Sequence, residues 1–408
     1  MLRRVIAILV LAMVLAGGAA SARQAGTDSP GPPGDAGDPA VSAYTIRGIE
    51  VDISASDAAG ARAEALAEAR RLAFARIIAR LVLAADRPRV PAPDDGLISS
   101  LISGIDIVSE QFSSRRYIAR LDVHFRPEAM RAFFAAHALR YSETEAVPRP
   151  FLLFWRDGPA GAISLPGEER RRLLFSRADL ANRLVRLEPG PSGLDAREIR
   201  QRLEAALRGA EPGGAAGDDD TGRAMLAAAA AASDVPLVVA LVTAEAPIGP
   251  LPGRVRLDLV STRDPALVFA RRDALAPGLP FAQAAGEAAA ALLAKALDVL
   301  DAAWRQATVM RPGVADSILL RIPSRTLAEL LDGERALAAV PAVRGVSPVR
   351  IAIPESTLSV TFEGGLELLA IALAERGYVL HETADGFVLR RTAPAAGKPQ
   401  PAGGGSGP

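Results

Sequence analysis

The spacing of hydrophobic positions changes along this chain, and each change marks a predicted element. Apolar residues alternate imperfectly over residues 44–53, which indicates a β-strand, and Gly48 stands where the alternation slips by one residue. Ser56 and Asp57 then offer an N-cap to a helix that we predict to extend to about residue 83. Apolar residues recur in it every three to four positions, as they do in a helix packed on a sheet.

The rest of this first block predicts a hairpin followed by a helix. Residues 95–103 indicate a short helix, and residues 105–112 and 117–125 alternate well enough for two antiparallel strands joined at residues 113–115. Pro127 occupies the favoured first position of a last helix, which we predict to end near residue 138. The block therefore has the order β-α-β-β-α.

The second block begins with a continuous apolar run, Phe-Leu-Leu-Phe-Trp at residues 151–155, which is typical of a central strand buried on both faces. Helices are predicted near residues 170–184, 195–208, 223–232 and 281–304. Further strands are predicted at residues 237–243, 255–260 and 267–270, the last two forming a hairpin. Between two of the helices, the Gly- and Asp-rich residues 209–222 predict a loop.

The third block has a regular order of elements. Strands are predicted at residues 318–322, 343–353, 357–362, 378–382 and 387–390, and helices at residues 324–339 and 365–376. The order β-α-β-β-α-β, extended by a hairpin arm, is that of the ferredoxin-like fold. We therefore predict an α+β or mixed α/β protein made of several small domains, each with a sheet and helices, the last ferredoxin-like. The predicted boundaries are residues 43–142 for the first domain, 148–308 for the second and 315–392 for the third.

The two ends of the chain have a different character. Arg3 and Arg4 precede an uninterrupted apolar run, and Ala-Ser-Ala at residues 20–22 offers a cleavage site, so residues 1–22 predict a signal peptide cut near Ala22. The protein is then expected in the periplasm, the alternative being an uncleaved segment anchored in the inner membrane. Residues 23–42 and 393–408 are rich in Gly and Pro and predict a flexible linker and a disordered tail.

Composition excludes several classes of function. The 408 residues contain no Cys, which rules out a disulfide scaffold, a thiolate metal site and a thiol nucleophile. Lys and Arg together number 47, as do Asp and Glu, and this balance argues against nucleic acid as a partner. Membrane is expected as a partner only if the signal segment is not cleaved.

Few residues are candidates for chemistry. His124, His137 and His381 are the three histidines, and none has the spacing of a metal site or a Ser partner in a recognisable motif. The β-α loop at residues 322–326 offers none of the soft ligands that metal-transfer domains of this topology use. The acidic run at residues 218–222 lacks the later Glu of an EF-hand loop, so a solvated loop is favoured over a Ca²⁺ site.

Two small basic clusters complete the candidates, at residues 168–172 and at Arg115 and Arg116. Solvated surface explains both more simply than an anionic partner does. We therefore predict no catalytic residue, no cofactor-binding residue and no metal ligand, and we expect no cofactor.

Several segments resemble one protein family. These are the strand that ends in Val-Asp-Ile at residues 51–53, the small-residue helix at residues 58–83, the strand at residues 117–125 with the helix after Pro127, and the proline followed by an apolar strand ending in Trp at residues 150–155. They resemble bacterial domain-of-unknown-function family 2066, most specifically over residues 44–155. The long Gly- and Pro-rich spacers and residues 209–222 depart from the family's pattern. The resemblance implies an envelope protein of a Gram-negative bacterium, and it implies no catalytic residue because the family has no assigned activity.

These observations favour a non-enzymatic binding or scaffolding protein of the cell envelope, although the residues leave the question of catalysis open. Its partner is predicted to be another envelope protein that adds a strand to a sheet edge. The alternative is a hydrolase or ligand-binding protein that acts on cell-wall material, with a pocket between the second and third domains.

Overall fold

The first sheet combines three antiparallel strands with a long helix. In the computed structural model, β1 (Thr45–Ser54) and β2 (Ile102–Phe112) flank β3 (Arg116–Phe125). The helices of this region are α1 (Ala58–Leu81), α2 (Asp95–Leu101) and α3 (Pro127–Ala136). The structure describes residues 43–190, 196–208, 217–233, 236–264, 268–311, 313, 315–384 and 386–392.

Local signals in the sequence account for these elements. Asp57 caps α1 by accepting a hydrogen bond from the backbone N–H of Gly60 at 2.8 Å, as the sequence predicts. Gly48 has a φ of 67° at the point where the pairing of β1 with β3 shifts, so the predicted bulge is confirmed. Pro127 opens α3, also as predicted. α1 ends at Leu81, two residues before its predicted end.

The second sheet has five strands in the order β5-β4-β6-β7-β8. They are β4 (Ala146–Asp157), β5 (Val185–Pro189), β6 (Val238–Glu245), β7 (Arg254–Ser261) and β8 (Val268–Ala274). β4 pairs in parallel with β5 and β6, whereas β7 and β8 form the predicted antiparallel hairpin. The helices are α4 (Glu168–Ser176), α5 (Ala196–Arg208), α6 (Gly217–Ala232) and α7 (Phe281–Ala307).

The continuous apolar run of β4 is explained by burial on both faces. Leu152 and Phe154 belong to one hydrophobic core, with residues of α5 and α6. Phe151, Leu153 and Trp155 belong to the other, with residues of α4 and α7. Because successive side chains of a strand point to opposite faces, both sets must be apolar. The prediction of a buried central strand is confirmed.

Two predictions for this region are wrong. The helix predicted at residues 170–184 ends at Ser176, and a 3₁₀ turn (Leu180–Asn182) and β5 follow it. β5 has only five residues, too few to show an alternation, and its position is set by pairing with β4. In the loop predicted at residues 209–222, residues 217–222 are instead the first part of α6, and the remainder lies outside the described residues.

The third sheet has the order β10-β11-β9-β13-β12. Its strands are β9 (Ala315–Pro323), β10 (Val343–Arg350), β11 (Glu355–Glu363), β12 (Tyr378–Thr383) and β13 (Gly386–Arg391), and its helices are α8 (Leu327–Ala338) and α9 (Leu366–Ala374). Its first three strands have the ferredoxin-like arrangement. The fourth position is taken by β13, which is parallel to β9, so the hairpin arm inserts its second strand into the sheet.

The three sheets share one hydrophobic core. It includes Ile46 from the first sheet, Trp155 from the second and Phe362 from the third. The described residues form one compact unit, and within them the protein is a mixed α+β fold with nine α-helices. The boundaries between the three predicted domains stay predictions. The predicted signal peptide, linker and tail at residues 1–22, 23–42 and 393–408 lie outside the described residues.

Candidate functional site

Each of the three sheets has two edge strands, and an edge strand with free backbone groups is a site where a partner strand can add. The edges are β1 and β2, β5 and β8, and β10 and β12. The sequence predicts strand addition without saying which edge receives the partner. The local structure of each edge narrows the choice.

The free edge of β1 is closed by a side chain. The amide of Asn182 accepts a hydrogen bond from the backbone N–H of Arg47 at 2.7 Å and donates one to the carbonyl of Arg47 at 2.9 Å. This amide therefore takes the place of a neighbouring strand at that point.

The four edge strands of the second and third sheets are short, interrupted or charged. β5 has five residues and ends in Pro189, and β12 has six residues. β10 contains Pro348, which has no N–H to donate, at a shift in its pairing with β11. β8 carries ion pairs to Asp273 from Arg271 and Lys295. Proline, charge and shortness are the usual means by which edges are protected from pairing.

β2 is the longest of the six edge strands and has no proline, although it carries two carboxylates and its pairing with β3 shifts twice. It has eleven residues and contains no Pro, Lys or Arg, and ten of the eleven are not fully buried. At about 3.3 Å per residue, the edge is about 35 Å long. Exposed apolar side chains lie along it, with exposed fractions of 41% for Ile107, 57% for Val108 and 73% for Phe112. We call residues 103–112 the β2 edge.

The apolar side chains are exposed because the helix does not reach them. α1 packs on β1 and β3. Ile107 pairs with Leu121 and Phe112 with Tyr117, so each shares a face with a buried neighbour. They therefore point to the helix side of the sheet, but beyond the surface that α1 covers.

The β2 edge is acidic. Its charged residues are Asp106 and Glu110. The Asp106 side chain is 73% exposed, and its Oδ2 lies 2.8 Å from His124 Nε2. Glu110 accepts a hydrogen bond from the Tyr117 hydroxyl at 2.7 Å, and burial together with this bond raises the pKa of Tyr117. An incoming strand therefore meets aliphatic side chains and two carboxylates.

A second candidate site is a cavity of about 250 Å³ where the second and third sheets meet. Its walls include Leu300 and Trp304 of α7 and Ile371 of α9. Arg149 lies at its side with a side chain only 6% exposed, and Nη2 donates to Glu375 Oε1 at 3.2 Å. Burial lowers the pKa of the Arg149 guanidinium, and the charge of Glu375 opposes this. We call this cavity the junction pocket.

A third cluster is a buried network of ionic and phenolic groups. Glu143, which is fully buried, accepts hydrogen bonds from the Tyr44 hydroxyl at 2.5 Å and from Arg131 Nε at 2.9 Å. Arg344 of the third sheet lies 3.7 Å from the same carboxylate. Burial and the neighbouring charge of Glu143 raise the pKa of Tyr44. The network connects residues beside the first sheet with Arg344 of β10, and its charged groups are paired with one another, so it contributes to the packing of the two regions.

The three histidines are not brought together. His124 lies in β3 and contacts the Thr45 hydroxyl and Asp106, whereas the ring of His137 packs on Phe133, 4.5 Å between centroids. His381 is exposed on β12 in the third sheet. Among the described residues, no three His, Asp or Glu side chains are grouped so that they could hold a metal ion.

The other sequence candidates have structural roles. Arg116 forms a two-point contact with Asp52 at 2.7 and 2.5 Å. In the cluster at residues 168–172, Arg170 stacks over the Trp155 ring at 4.3 Å. Residues 218–222, predicted as an acidic loop, lie in α6.

Within the part of the chain that the structure describes, no helix is both long enough and apolar enough to cross a membrane. Comparison with known protein families finds no matching family, and comparison with curated proteins finds no matching relative.

The sequence did not single out the β2 edge. It predicted, as the alternative, a pocket between the second and third domains, but it named none of the residues of the junction pocket. The strand at residues 105–112 was visible as an alternation, but its exposure depends on where α1 lies. The pocket joins Arg149 to Glu375, 226 positions apart in the chain, and no local pattern indicates such a contact.

Proposed function

We propose that this protein is a non-enzymatic binding protein that receives an extended segment of another envelope protein at the β2 edge. The observation that carries the proposal is that β2 is a long edge strand without Pro, Lys or Arg, in a sheet whose other two strands are covered by α1. Main-chain hydrogen bonds supply affinity in this mode of binding, and alternate side chains supply specificity.

The chemistry of the edge indicates the chemistry of its partner. Asp106 and Glu110 are acidic, and exposed aliphatic side chains lie between and beside them. The pairing of β2 with β3 shifts between Ile107 and Ser109, so Asp106 and Glu110 lie on opposite faces of the edge. The proposed partner segment therefore carries basic residues on both of its faces, among apolar ones, because opposite charges across a strand pair are favourable.

A second copy of the chain fits the edge less well. Pairing two copies through β2 would bring the Asp106 and Glu110 carboxylates of both copies, four like charges in all, to one seam. Like charges that face each other across a strand pair are unfavourable. This argument favours a different chain as the partner.

The proposed location is the periplasm of a Gram-negative bacterium, after cleavage of residues 1–22 near Ala22. The basic, apolar and small-residue order of that segment supports it. The resemblance of residues 44–155 to domain-of-unknown-function family 2066 supports the same location. N-terminal sequencing of the protein isolated from cells tests the cleavage, and a protein that still begins at Met1 would favour the anchored alternative.

Hydrogen exchange tests the β2 edge with a defined probe. We expect a synthetic peptide of valine and lysine, with lysines on both of its faces, to protect backbone amides of residues 103–112 in the full chain. A peptide of the same pattern with glutamate in place of lysine should protect them much less. The protection should weaken with added salt, because the carboxylates are exposed. Equal protection by both peptides, or none by either, would contradict the proposal.

Matched variants separate the β2 edge from other exposed strands. Val108→Lys places a charge on the β2 edge, and Val349→Lys does the same beside Pro348, at nearly equal exposed fractions of 57% and 60%. We expect only Val108→Lys to remove the protection. If sedimentation instead shows a dimer that Val108→Lys dissociates, the occupant is a second copy and the proposal of a different partner is wrong.

A further inference from the structure

The junction pocket lies away from the β2 edge and has its own polar groups. Ser261, at the end of β7, lines it and is fully buried. Its hydroxyl oxygen has no hydrogen-bond partner among the described residues. A buried hydroxyl without a partner costs about 1–3 kcal/mol, so folded proteins rarely keep one without a reason.

Arg149 is the second polar group with unused hydrogen-bonding capacity. Its guanidinium carries five N–H donors. Within the described residues it makes one hydrogen bond, to Glu375, and it stacks on Trp304 with its central carbon 5.3 Å from the ring centroid. A buried guanidinium with free donors is suited to an oxygen acceptor such as a carboxylate.

Glu375 does not pair with all the N–H donors of Arg149, because its own oxygens are shared with other groups. Its Oε1 also lies 3.3 Å from Arg263 Nε, and its Oε2 accepts the backbone N–H of Val147 at 3.1 Å. The carboxylate is therefore shared among three donors. Arg149 and Arg263 are balanced by Glu375 and Asp264 near the pocket, so a ligand with one negative charge fits better than one with several.

The rest of the pocket is apolar and small. Its hydrophobic wall includes Leu300, Trp304 and Ile371. The cavity of about 250 Å³ lies just below the range of roughly 300–1,000 Å³ that holds drug-sized ligands. A compact molecule with an apolar body and one polar end matches this combination.

We propose that the junction pocket binds a small monocarboxylic acid with an apolar body. The carboxylate accepts hydrogen bonds from the guanidinium of Arg149 and from the hydroxyl of Ser261, whose side chain must rotate toward the cavity because solvent does not reach it in the structure. The body lies against Trp304, Leu300 and Ile371. Ser261 has no hydrogen-bonded base among the described residues, so the pocket is assigned to binding and not to hydrolysis. The proposal does not depend on the β2 edge.

Calorimetric titration of the full chain with octanoate tests the proposal, with octan-1-ol as the uncharged control. We expect octanoate to bind and octan-1-ol to bind roughly tenfold more weakly or not at all. Octanol binding as tightly as octanoate would overturn the carboxylate assignment. The absence of octanoate binding, with hexanoate and benzoate equally inactive, would overturn the site.

Two neighbouring alanines of α7 provide a matched pair of variants. Ala303 lines the pocket at its surface, so Ala303→Met fills it without changing the core. Ala302, next to it, is exposed and does not line the pocket. We expect Ala303→Met to weaken octanoate binding roughly tenfold and Ala302→Met to leave it unchanged. Equal effects of the two variants would contradict the location.

Ser261→Ala gives a readout that a purely structural hydroxyl would not produce. We expect this variant to unfold at a higher temperature than the parent without ligand, because an unpaired buried hydroxyl has been removed. The same variant should bind octanoate several-fold more weakly. A lower unfolding temperature or unchanged octanoate binding would show that the Ser261 hydroxyl does not bind the ligand.

Discussion

The contact of Asp86 with Arg140 gives the most quantitative prediction for this protein. Asp86 Oδ2 accepts hydrogen bonds from the backbone N–H and from Nε of Arg140, each at 2.9 Å, and Oδ1 accepts one from Nη2 at 2.9 Å. The Asp86 side chain is 5% exposed. Asp86→Asn keeps the shape of the side chain, removes its charge and replaces one accepting oxygen with an N–H donor, so it removes what the ionised carboxylate contributes to the contact.

The magnitude follows from the pKa. Hydrogen bonds from Arg140 lower the pKa of Asp86 from 3.8 to about 2. Since one pKa unit corresponds to about 1.4 kcal/mol, this lowering corresponds to about 2.5 kcal/mol. The Arg140 side chain is 42% exposed, however, and solvent screens an exposed partner. We therefore expect the charge of Asp86 to stabilise the fold by roughly 1–2 kcal/mol.

The sign of the pH dependence follows from the direction of the shift. A carboxyl group whose pKa is lower in the folded state stabilises the fold above its unfolded pKa and loses this effect as the pH falls. The stabilisation by Asp86 should thus be complete above about pH 5. It should disappear as the pH falls from the unfolded value of 3.8 through about 2.

Urea unfolding of the parent and of Asp86→Asn at neutral and at acidic pH tests the reasoning. We expect a difference in the free energy of unfolding of roughly 1–2 kcal/mol at neutral pH, shrinking toward zero near pH 2. Asp95→Asn is the control, because Asp95 contacts Arg71 in the same way but is 57% exposed, and no measurable change is expected. A difference of the same size at both pH values would refute the electrostatic explanation.

Two further predictions concern the fold. Glu143→Gln removes the buried charge between Tyr44 and Arg131 and should lower the free energy of unfolding by about 3 kcal/mol in urea titration, whereas a loss below 1 kcal/mol would contradict its role. Gly161→Ala places a Cβ 2.2 Å from the Asp157 carbonyl oxygen, so the turn must open at a cost of roughly 2 kcal/mol in the same assay. Gly167→Ala, which meets nothing within 4 Å, is its control, and equal losses would contradict the steric explanation.

The fold was predictable from sequence where a single element carries its own signal. Asp57, Gly48 and Pro127 each determine local backbone geometry through their own chemistry, and each prediction is confirmed. The run of β4 was interpretable because only a strand covered on both faces needs five consecutive large apolar residues.

The fold was not predictable from sequence where pairing or packing with neighbouring elements determines the local structure. Residues 185–189 are a strand because β4 lies beside them, and five residues carry too little pattern to show it. Residues 217–222 contain three Asp and two Gly, which locally favour a loop, yet they begin α6. The position of β13 beside β9 depends on how the hairpin arm folds back, which the order of elements leaves open.

The exposure of the β2 edge has a geometric cause that connects the fold to the proposed function. An α-helix with its side chains is about 10–12 Å wide, and neighbouring strands lie about 4.8 Å apart, so one helix covers about two strands. α1 covers β1 and β3, and β1 is closed on its other side by Asn182. The uncovered strand must then be β2. A strand added there would extend the sheet and shield Ile107 and Phe112 with its own side chains. A three-stranded sheet with one long helix therefore has a strand that this helix does not cover, and the structure identifies that strand as β2.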